Sequence, residues 1–486
     1  MRISILLALT FVMYANHGIA TSNIVTVSAF LNESMTIEGT AAESIGKDVA
    51  SNEKQGINLQ PTIAMAGNWG MRVFYAGTNL STERQEFTLS NSYLYNSGDY
   101  LGSPFVDFVN DYSGTNDFAL TYGPYFISNA ITLGQGIAIH ALRPWEAVTN
   151  YWELNSTNGF IIVGTTEYPG IAGLNACIDM NEDGFNEIAS LVGSGTKYYL
   201  CVWYGASNAQ YVHNNVDAVN GTNDIAIKDI GLLPGQAIFT SGEFNNDGRG
   251  DIAVNTSAGL ALVWGRQRYV KELCATNLAP EDGVIVKNAV IDKNGGFGDV
   301  NGDGIDDLIL RAGAIVYGRT NWGSAPDAAT MGVGEIARPA GAMFYNYPTA
   351  VIGDINGDGY DDWALQARSV MGFSPTVETN KTLVVYGRPV YPTSLDVWQM
   401  NGSNGFAILN PAFDEFPGWV LNEDPIRSFT RGGDWNSDGY EEAVFGMPYY
   451  SVAPYTNGGG VVCIVPGGPS PAWSPYIFAP TLVMEG

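Results

Sequence analysis

The stretch 298–310 reads GDVNGDGIDDLIL and places four aspartates and one asparagine directly before an apolar run. The same order of charged and apolar residues recurs four more times along the chain. A single acidic turn is common on protein surfaces, but five copies in one register indicate a shared chemical role. The other copies are GDINGDGYDDWAL at 353–365, GDWNSDGYEEAVF at 433–445, GEFNNDGRGDIAV at 242–254 and IDMNEDGFNEIAS at 178–190.

Counted from its first acidic residue, each loop has oxygen-bearing side chains at positions 1, 3, 5 and 9 and a glycine at position 6. Alternate side chains of a tightly curled loop converge on one point, and glycine allows the positive φ of a sharp turn. Ca²⁺ takes about 6–8 oxygen ligands, so the pattern predicts five structural Ca²⁺ sites. The candidate ligands are Asp179, Asn181, Asp183 and Glu187; Glu243, Asn245, Asp247 and Asp251; Asp299, Asn301, Asp303 and Asp307; Asp354, Asn356, Asp358 and Asp362; and Asp434, Asn436, Asp438 and Glu442.

These loops differ from an EF-hand, whose loop ends on a bidentate glutamate at position 12 and lies between two helices. Position 12 here is Leu310, Leu365, Phe445, Val254 or Ser190. The acid at position 9 leads straight into an apolar run such as DLIL or DWAL, which is typical of a buried strand. We therefore predict that each loop joins two strands, and that a bound cation neutralises carboxylates that would otherwise repel one another.

The rest of each unit repeats as well. The glycines at position 6 recur at intervals of 64, 56, 55 and 80 residues, and two incomplete copies precede them around Gly56 and Gly114. Most units also contain a strand that ends in an aromatic residue and glycine, such as AIVYGRT at 314–320. Several contain a short segment such as NGFAI at 404–408. The sequence thus predicts seven units of about four short strands each.

Seven four-stranded units without helical patterning predict an all-β fold, a seven-bladed β-propeller that spans residues 21–486. A ring buries both faces of every blade, which no blade can achieve alone. The alternative is a string of small separate β domains, but no stretch rich in proline and serine separates the units.

The DxNxDGxxD loop, the Gly-Asp before it and the apolar strand after it resemble the FG-GAP repeats of the integrin α N-terminal β-propeller. The resemblance covers nearly the whole chain after residue 20 and is specific in the five intact loops. It implies a seven-bladed propeller with calcium in the hairpin loops of one face and partner-binding loops on the opposite face. It also implies two metal-free units at the start and a role in protein binding or cell adhesion.

Charge and the N-terminal residues indicate the environment in which the protein works. The 486 residues include 22 basic and 49 acidic side chains, a formal net charge of −27, which opposes binding to nucleic acid or anionic membranes. Residues 1–20 combine an early Arg2, an apolar run and a small-residue end. We predict a cleaved signal peptide and a secreted protein without a membrane span. Four cysteines leave the disulfide pairing open.

The predicted function is binding of an extracellular protein or glycan. Aromatic residues among Gly, Asn and Ser at 88–103, 141–159 and 411–425 suit such contacts, although packing between blades explains them equally well. The alternatives are a carbohydrate-binding lectin and an extracellular hydrolase or lyase. After removal of the signal peptide only His140 and His213 remain, and no nucleophile motif is present, so no catalytic residue is assigned.

Arg249, Gly250 and Asp251 spell RGD, the tripeptide that integrins read. An adhesive RGD needs a free aspartate. Asp251 is position 9 of a candidate metal loop, so we expect it to face the metal and interpret the tripeptide as part of that loop.

Overall fold

A computed structural model describes the chain from Met35 to Phe478 with gaps. Residues 1–34 lie outside the described part, and with them the predicted signal peptide at 1–20. The described ranges are 35–38, 48–52, 62–67, 70–75, 85–90, 105–106, 117–122, 125–127, 131–133, 136–141, 159–163, 170–177, 179–194, 197–206, 224–230, 239–267, 272–291, 296–332, 334–340, 349–370, 378–391, 394–396, 402–409, 428–434, 438–447, 461–469 and 476–478.

The described residues form seven sheets of four or five strands, which confirms the predicted all-β class. The first four strands of each sheet pair antiparallel with their neighbours. Sheet 1 contains Asp48–Asn52, Thr62–Gly67, Gly70–Tyr75 and Gln85–Ser90; sheet 2, Phe105–Val106, Asp117–Tyr122, Gly136–Ala141 and Gly159–Val163; sheet 3, Gly170–Cys177, Glu187–Ser194, Lys197–Trp203 and Asp224–Lys228; sheet 4, Phe239–Gly242, Asp251–Thr256, Gly259–Val263 and Gly283–Val286; sheet 5, Phe297–Gly298, Asp307–Ile309, Ile315–Val316 and Ile336–Ala340; sheet 6, Thr349–Gly353, Asp362–Val370, Glu378–Val385 and Gly405–Leu409; and sheet 7, Ser428–Gly433, Glu442–Met447, Val461–Val465 and Met35–Glu38.

Sheet 7 takes its fourth strand from the other end of the chain. Met35–Glu38 pairs antiparallel with Val461–Val465, so residues near both ends of the described chain share one sheet. Outside the seven sheets, the described residues contain a small hairpin of Tyr125–Ile127 and Ile131–Leu133 and a single 3-10 turn at Arg311–Gly313. Among the described residues, no helix has the length and hydropathy needed to cross a membrane.

Three sheets carry a fifth strand that belongs in sequence to the next sheet. Glu272–Cys274 pairs in parallel with Asp224–Lys228 of sheet 3, although it lies between the third and fourth strands of sheet 4. Ser394–Asp396 extends sheet 5 in the same way, and Tyr476–Phe478 extends sheet 6. Because each of these strands pairs with one sheet but belongs in sequence to the next, it joins the two sheets and covers an edge of the first.

Sheets 3, 4, 5 and 6 pack face to face in sequence order, and the strand Gly259–Val263 shows how. Leu260 and Leu262 belong to an apolar cluster shared with sheet 5, whereas Ala261 and Val263 belong to one shared with sheet 3. Successive side chains of a strand point to opposite faces, so a strand buried on both faces reads as a continuous apolar run. The apolar runs that follow position 9 of the acidic loops are buried, as predicted. One fully buried residue from each run is Ile188, Ile252, Leu308, Trp363 and Val444.

The first strands of neighbouring sheets also contact one another. These contacts join sheets 3 and 4, 4 and 5, 5 and 6, and 6 and 7. The first strand of sheet 1 contacts the first strand of sheet 7, and the first strand of sheet 3 contacts the first two strands of sheet 2.

Each acidic loop joins the first two strands of its sheet, which confirms the predicted hairpins. The two incomplete copies behave similarly, because antiparallel strands flank the segments that contain Gly56 and Gly114. These two glycines lie outside the described residues. So do His213 and the aromatic residues of the segments 88–103, 141–159 and 411–425: Tyr93, Tyr95, Tyr100, Trp145, Tyr151, Trp152, Phe413, Phe416 and Trp419.

Candidate metal centre

The side chain at position 1 organises the backbone of its own loop. In the loop of sheet 5, Asp299 Oδ1 accepts hydrogen bonds from the N–H groups of Gly302 (2.6 Å) and Asp303 (3.0 Å), and Oδ2 accepts one from Gly304 (2.8 Å). Asn301 Oδ1 also accepts from the Asp303 N–H at 2.9 Å. Aspartate and asparagine favour such turns, in which the side chain accepts from backbone two or more residues further along. The loop therefore curls around its own oxygen atoms.

Most of these bonds recur in the other loops. Gly184, Gly359 and Gly439 at position 6 have φ of 89°, 87° and 94°, the left-handed region that favours glycine. The position-1 carboxylate accepts from the position-6 N–H in Asp179–Gly184 (2.8 Å), Asp354–Gly359 (2.8 Å) and Asp434–Gly439 (3.1 Å). The position-5 carboxylate accepts from the position-7 N–H in Asp183–Phe185 (3.0 Å), Asp247–Arg249 (3.0 Å), Asp303–Ile305 (3.0 Å), Asp358–Tyr360 (3.1 Å) and Asp438–Tyr440 (2.9 Å).

The acid at position 9 is buried in all five loops and fastens the loop to the sheet. Asp362 Oδ2 accepts from the N–H of Ile355 at 3.1 Å, and Oδ1 accepts from the N–H of Gly387 at 2.8 Å. Gly387 is the glycine that follows the third strand and its aromatic residue, so the structure gives a reason for that sequence motif. Equivalent glycine donors reach Asp251 (Gly265, 2.8 Å), Asp307 (Gly318, 2.9 Å) and Glu442 (Gly467, 3.4 Å).

The loop 179–187 departs from this scheme at Glu187. Glu187 Oε2 accepts from the N–H of Met180 at 2.7 Å, but Oε1 is buried and has no hydrogen-bond partner among the described residues. A buried carboxylate oxygen without a donor is costly unless a cation or proton compensates for it. Oxygens of Asp179, Asp183 and Glu187 lie within 4.8 Å of one another. The donor set at this loop consists of oxygen atoms only and fits a hard divalent cation.

The predicted ligands of the other four loops share the backbone bonds but not this close approach. Among the described residues, the carboxylate oxygens at positions 1, 5 and 9 of these four loops do not all lie within 4.8 Å of one another. Asn301 donates from Nδ2 to Asp307 Oδ1 at 3.4 Å, so this amide bridges positions 3 and 9. The amides of Asn181, Asn245 and Asn356 instead donate to the position-5 carboxylate. Asn436 lies outside the described residues.

Burial dominates the electrostatics of four of the five acids at position 9. It raises the pKa of Asp251 to about 8, although the N–H groups of Gly265 and Phe244 oppose the shift. Burial likewise raises the pKa of Glu187 well above its ordinary value; the Met180 N–H opposes this rise and the negative charge of Asp179 adds to it. The pKa values of Asp307 and Asp362 are raised well above the ordinary range for the same main reason. A bound divalent cation favours the ionised form of these acids and offsets the cost of burying their charge.

The tripeptide RGD is held by its loop. Arg249 pairs with Glu182 of the preceding loop, with Nη2 2.8 Å from Oε2. Asp251 is fully buried and accepts the two backbone hydrogen bonds of position 9. Asp251 is therefore not exposed for adhesion, and its predicted contact with a metal stays a prediction.

Two features of the site were missed in the sequence. Arginine follows the aromatic-glycine pair at Arg266, Arg319 and Arg388, and each of these contacts the segment before the fourth strand, as Arg319 does through Glu335 Oε1 at 2.8 Å. The Gly-Arg pair recurs in the sequence and is the signal that identifies them. The residue at position 8 contacts the loop of the preceding sheet, and no local pattern indicates that contact.

Comparison with known proteins gives distant structural similarity only. No family model matches the chain, and no curated protein matches it. An Agrocybe aegerita lectin, described as recognising non-reducing terminal N-acetylglucosamine, has a TM-score of 0.35 at 13% identity, over 74% of this chain and 79% of that one.

Two further solved structures are similar at the same level. The BBS1N chain in complex with ARL6DN has a TM-score of 0.38 at 9% identity, over 89% of this chain and 96% of that chain. The PQQ domain of pyranose dehydrogenase from Coprinopsis cinerea has a TM-score of 0.34 at 12% identity, over 71% of this chain and 92% of that chain.

Proposed function

We propose that this chain is an exported, calcium-stabilised β-propeller of the FG-GAP type that serves as an extracellular protein-binding module. The observation that carries the proposal is the position of Glu187. Its buried Oε1 has no hydrogen-bond partner among the described residues, and one of its carboxylate oxygens lies within 4.8 Å of oxygens of Asp179 and Asp183. A divalent cation bound here would compensate the buried negative charge of this carboxylate. Side-chain oxygens at positions 1, 3, 5 and 9 would hold the cation in each of the five loops.

The arrangement of the sheets supports a closed ring of seven blades. Sheet 7 combines strands from near both ends of the described chain, and its first strand contacts the first strand of sheet 1. Apolar clusters fill the space between sheets 3 and 4, 4 and 5, and 5 and 6. In a ring every sheet has such a neighbour on each side, so both faces of every blade are buried.

The role of the metal in this proposal is structural. A cation that binds the folded chain and not the unfolded one stabilises the fold by mass action, by about 2.7 kcal/mol per site at a hundredfold excess over Kd. Metal-clamped hairpins hold the sheets rigid, and rigid scaffolds present binding loops at low entropic cost. The loops that bind the partner are proposed to lie on the face opposite the metals.

Thermal unfolding tests the metal part. The full chain is treated with chelator and unfolded with no metal, with CaCl₂ and with MgCl₂ in equal excess. We expect CaCl₂ to raise Tm strongly and MgCl₂ to raise it less, because Mg²⁺ demands stricter octahedral geometry. Equal Tm values in all three samples would remove the basis of the proposal.

Binding screens test the partner class. Calcium-loaded protein is applied to an array of extracellular proteins and to a glycan array. Calcium-dependent capture by proteins supports the proposal, whereas capture by glycans alone supports the lectin alternative. Turnover of a glycan on the array would favour the hydrolase or lyase alternative.

A further inference from the structure

The five acidic loops are joined to one another through position 8. Asp306, at position 8 of the sheet 5 loop, donates its N–H to the carbonyl of Glu243 at 2.9 Å, and Asp306 Oδ2 accepts the Glu243 N–H at 2.7 Å. Glu243 is position 1 of the sheet 4 loop. One residue therefore holds both backbone groups of a candidate metal ligand that belongs to the neighbouring sheet.

The next junction repeats this reciprocal pair. Asp361 donates its N–H to the carbonyl of Asp299 at 3.0 Å and accepts the Asp299 N–H on Oδ2 at 3.0 Å. Arg431 of sheet 7 lies 3.0 Å from the same Oδ2 and holds the carboxylate in place. The backbone half of the contact extends along all four junctions, because Gly250 donates to the carbonyl of Asp179 at 2.8 Å and Glu441 donates to that of Asp354 at 3.3 Å.

Position 8 directly precedes position 9 in the chain. Asp306 is followed by Asp307, the buried acid that closes its own loop. Ordering of the sheet 5 loop around a cation would further restrain Asp307 and the adjacent Asp306, and through Asp306 the backbone of Glu243 in the sheet 4 loop. The two candidate sites are thus separated by a single residue and two hydrogen bonds.

We propose that Asp306 and Asp361 are positioning residues that couple cation binding in adjacent loops, so that a cation in one loop strengthens binding in the loop of the preceding sheet. The inference rests on the proposed function, because it concerns the same calcium sites. Neither residue is itself a candidate ligand. By linkage the coupling is reciprocal, and a cation in the preceding loop strengthens binding in the following one to the same extent.

A double-mutant cycle measures the coupling between the loops of sheets 4 and 5. Asp303→Asn weakens the sheet 5 site, Asp306→Ala removes the side-chain contact, and the third variant carries both changes. Calcium ions bound to the full chain are counted by native mass spectrometry across a series of free Ca²⁺ concentrations. If the sites are coupled, Asp303→Asn also lowers the calcium affinity of the sheet 4 site, by about five- to tenfold. This second effect should disappear in the variant that also carries Asp306→Ala.

Two controls separate positioning from general destabilisation. Asp306→Asn keeps an acceptor oxygen and is expected to retain most of the coupling, whereas the exposed Glu281→Gln removes one charge outside the set of candidate ligands and is expected to leave it unchanged. If Asp306→Ala does not fold, Asp306→Ser replaces it, because its hydroxyl keeps a polar group but falls short of the Glu243 N–H.

The outcomes are distinct. Additive effects of Asp303→Asn and Asp306→Ala, with calcium bound by the wild type, would overturn the coupling and leave the calcium sites intact. Failure of the wild type to bind calcium at all would instead overturn the proposed function.

Discussion

The ring of Tyr360 lies against Gly302 and fills the space where a Cβ on Gly302 would stand. Tyr360 is position 7 of the sheet 6 loop, and Gly302 is position 4 of the sheet 5 loop with φ of 76°. Tyr440 and Gly357 repeat the relationship one sheet further along. Adjacent loops therefore touch through side chains as well as through the backbone.

Gly302→Ala should destabilise the chain more than Gly304→Ala. Gly304 has a similar φ of 81° but open space around its Cβ position, so its substitution carries only the left-handed strain of about 1–2 kcal/mol. Gly302→Ala adds overpacking against Tyr360, about 1–3 kcal/mol more. Urea unfolding in chelator measures both variants without metal effects. Tyr360→Ala in the Gly302→Ala background should abolish the difference, and equal unfolding midpoints for the two alanine variants would contradict the contact.

The effect of Glu187→Gln on the free energy of unfolding should change sign when calcium is bound. Without metal the substitution removes a buried carboxylate whose Oε1 lacks a partner, so the variant is expected to be as stable as the wild type or about 1 kcal/mol more stable. With calcium the variant lacks one ligand and is expected to be less stable than the wild type. Chemical denaturation in chelator and in excess CaCl₂ gives both values.

Asp251→Asn is the matched control for that sign change. Both Asp251 oxygens accept backbone N–H groups, and the asparagine amide would turn a donor toward one of them. This variant should therefore lose about 1–3 kcal/mol already in chelator, and it should lose more in CaCl₂ because Asp251 is also a candidate ligand, so its effect keeps one sign. A Glu187→Gln variant that loses stability equally with and without calcium would show that the side chain serves packing and not a metal.

The stabilisation of the folded chain by calcium should increase with pH. Burial raises the pKa of Asp251 to about 8 in the folded chain, so without metal the folded state holds a proton that the unfolded state has released. The stability contributed by this proton is present below the ordinary pKa of about 4 and is lost as the pH rises through about 8. Calcium binds the ionised acids and restores stability where the proton is lost.

Calorimetry at pH 5 and pH 8 checks this dependence. In chelator, Tm is expected to be lower at pH 8 than at pH 5, and the rise in Tm on adding calcium is expected to be larger at pH 8. A calcium effect that is equal at both pH values, or larger at pH 5, would contradict the assignment of the buried acids as ligands.

The loops and their hairpins were predictable because their signals are local. Asp299, Asn301 and Asp303 bond to backbone groups no more than five residues away, and Asp307 leads directly into a buried strand. The sequence pattern at these positions is the physical cause of the turn. Strand burial was predictable for the same reason, since a strand covered on both faces must be apolar at every position.

The contacts between sheets were not predictable from local pattern. Asp306 and Glu243 are 63 residues apart, and nothing near either residue indicates the other. The fifth strand Glu272–Cys274 and the closing strand Met35–Glu38 depend on which sheets are neighbours. The sequence predicted position 9 as a metal ligand, but it gave no sign that four of the five acids there accept an N–H from the glycine after the third strand.

The most direct test of the central claim is a count of bound ions. Chelator-treated full chain is titrated with CaCl₂ and examined by native mass spectrometry, with Asp179→Ala/Asp183→Ala as the variant that removes one site. We predict that the wild type takes up calcium to a limit of about five ions and that the variant takes up one fewer. A wild-type chain that retains no calcium, or a variant that binds as many ions as the wild type, would contradict the assignment of these loops as calcium sites.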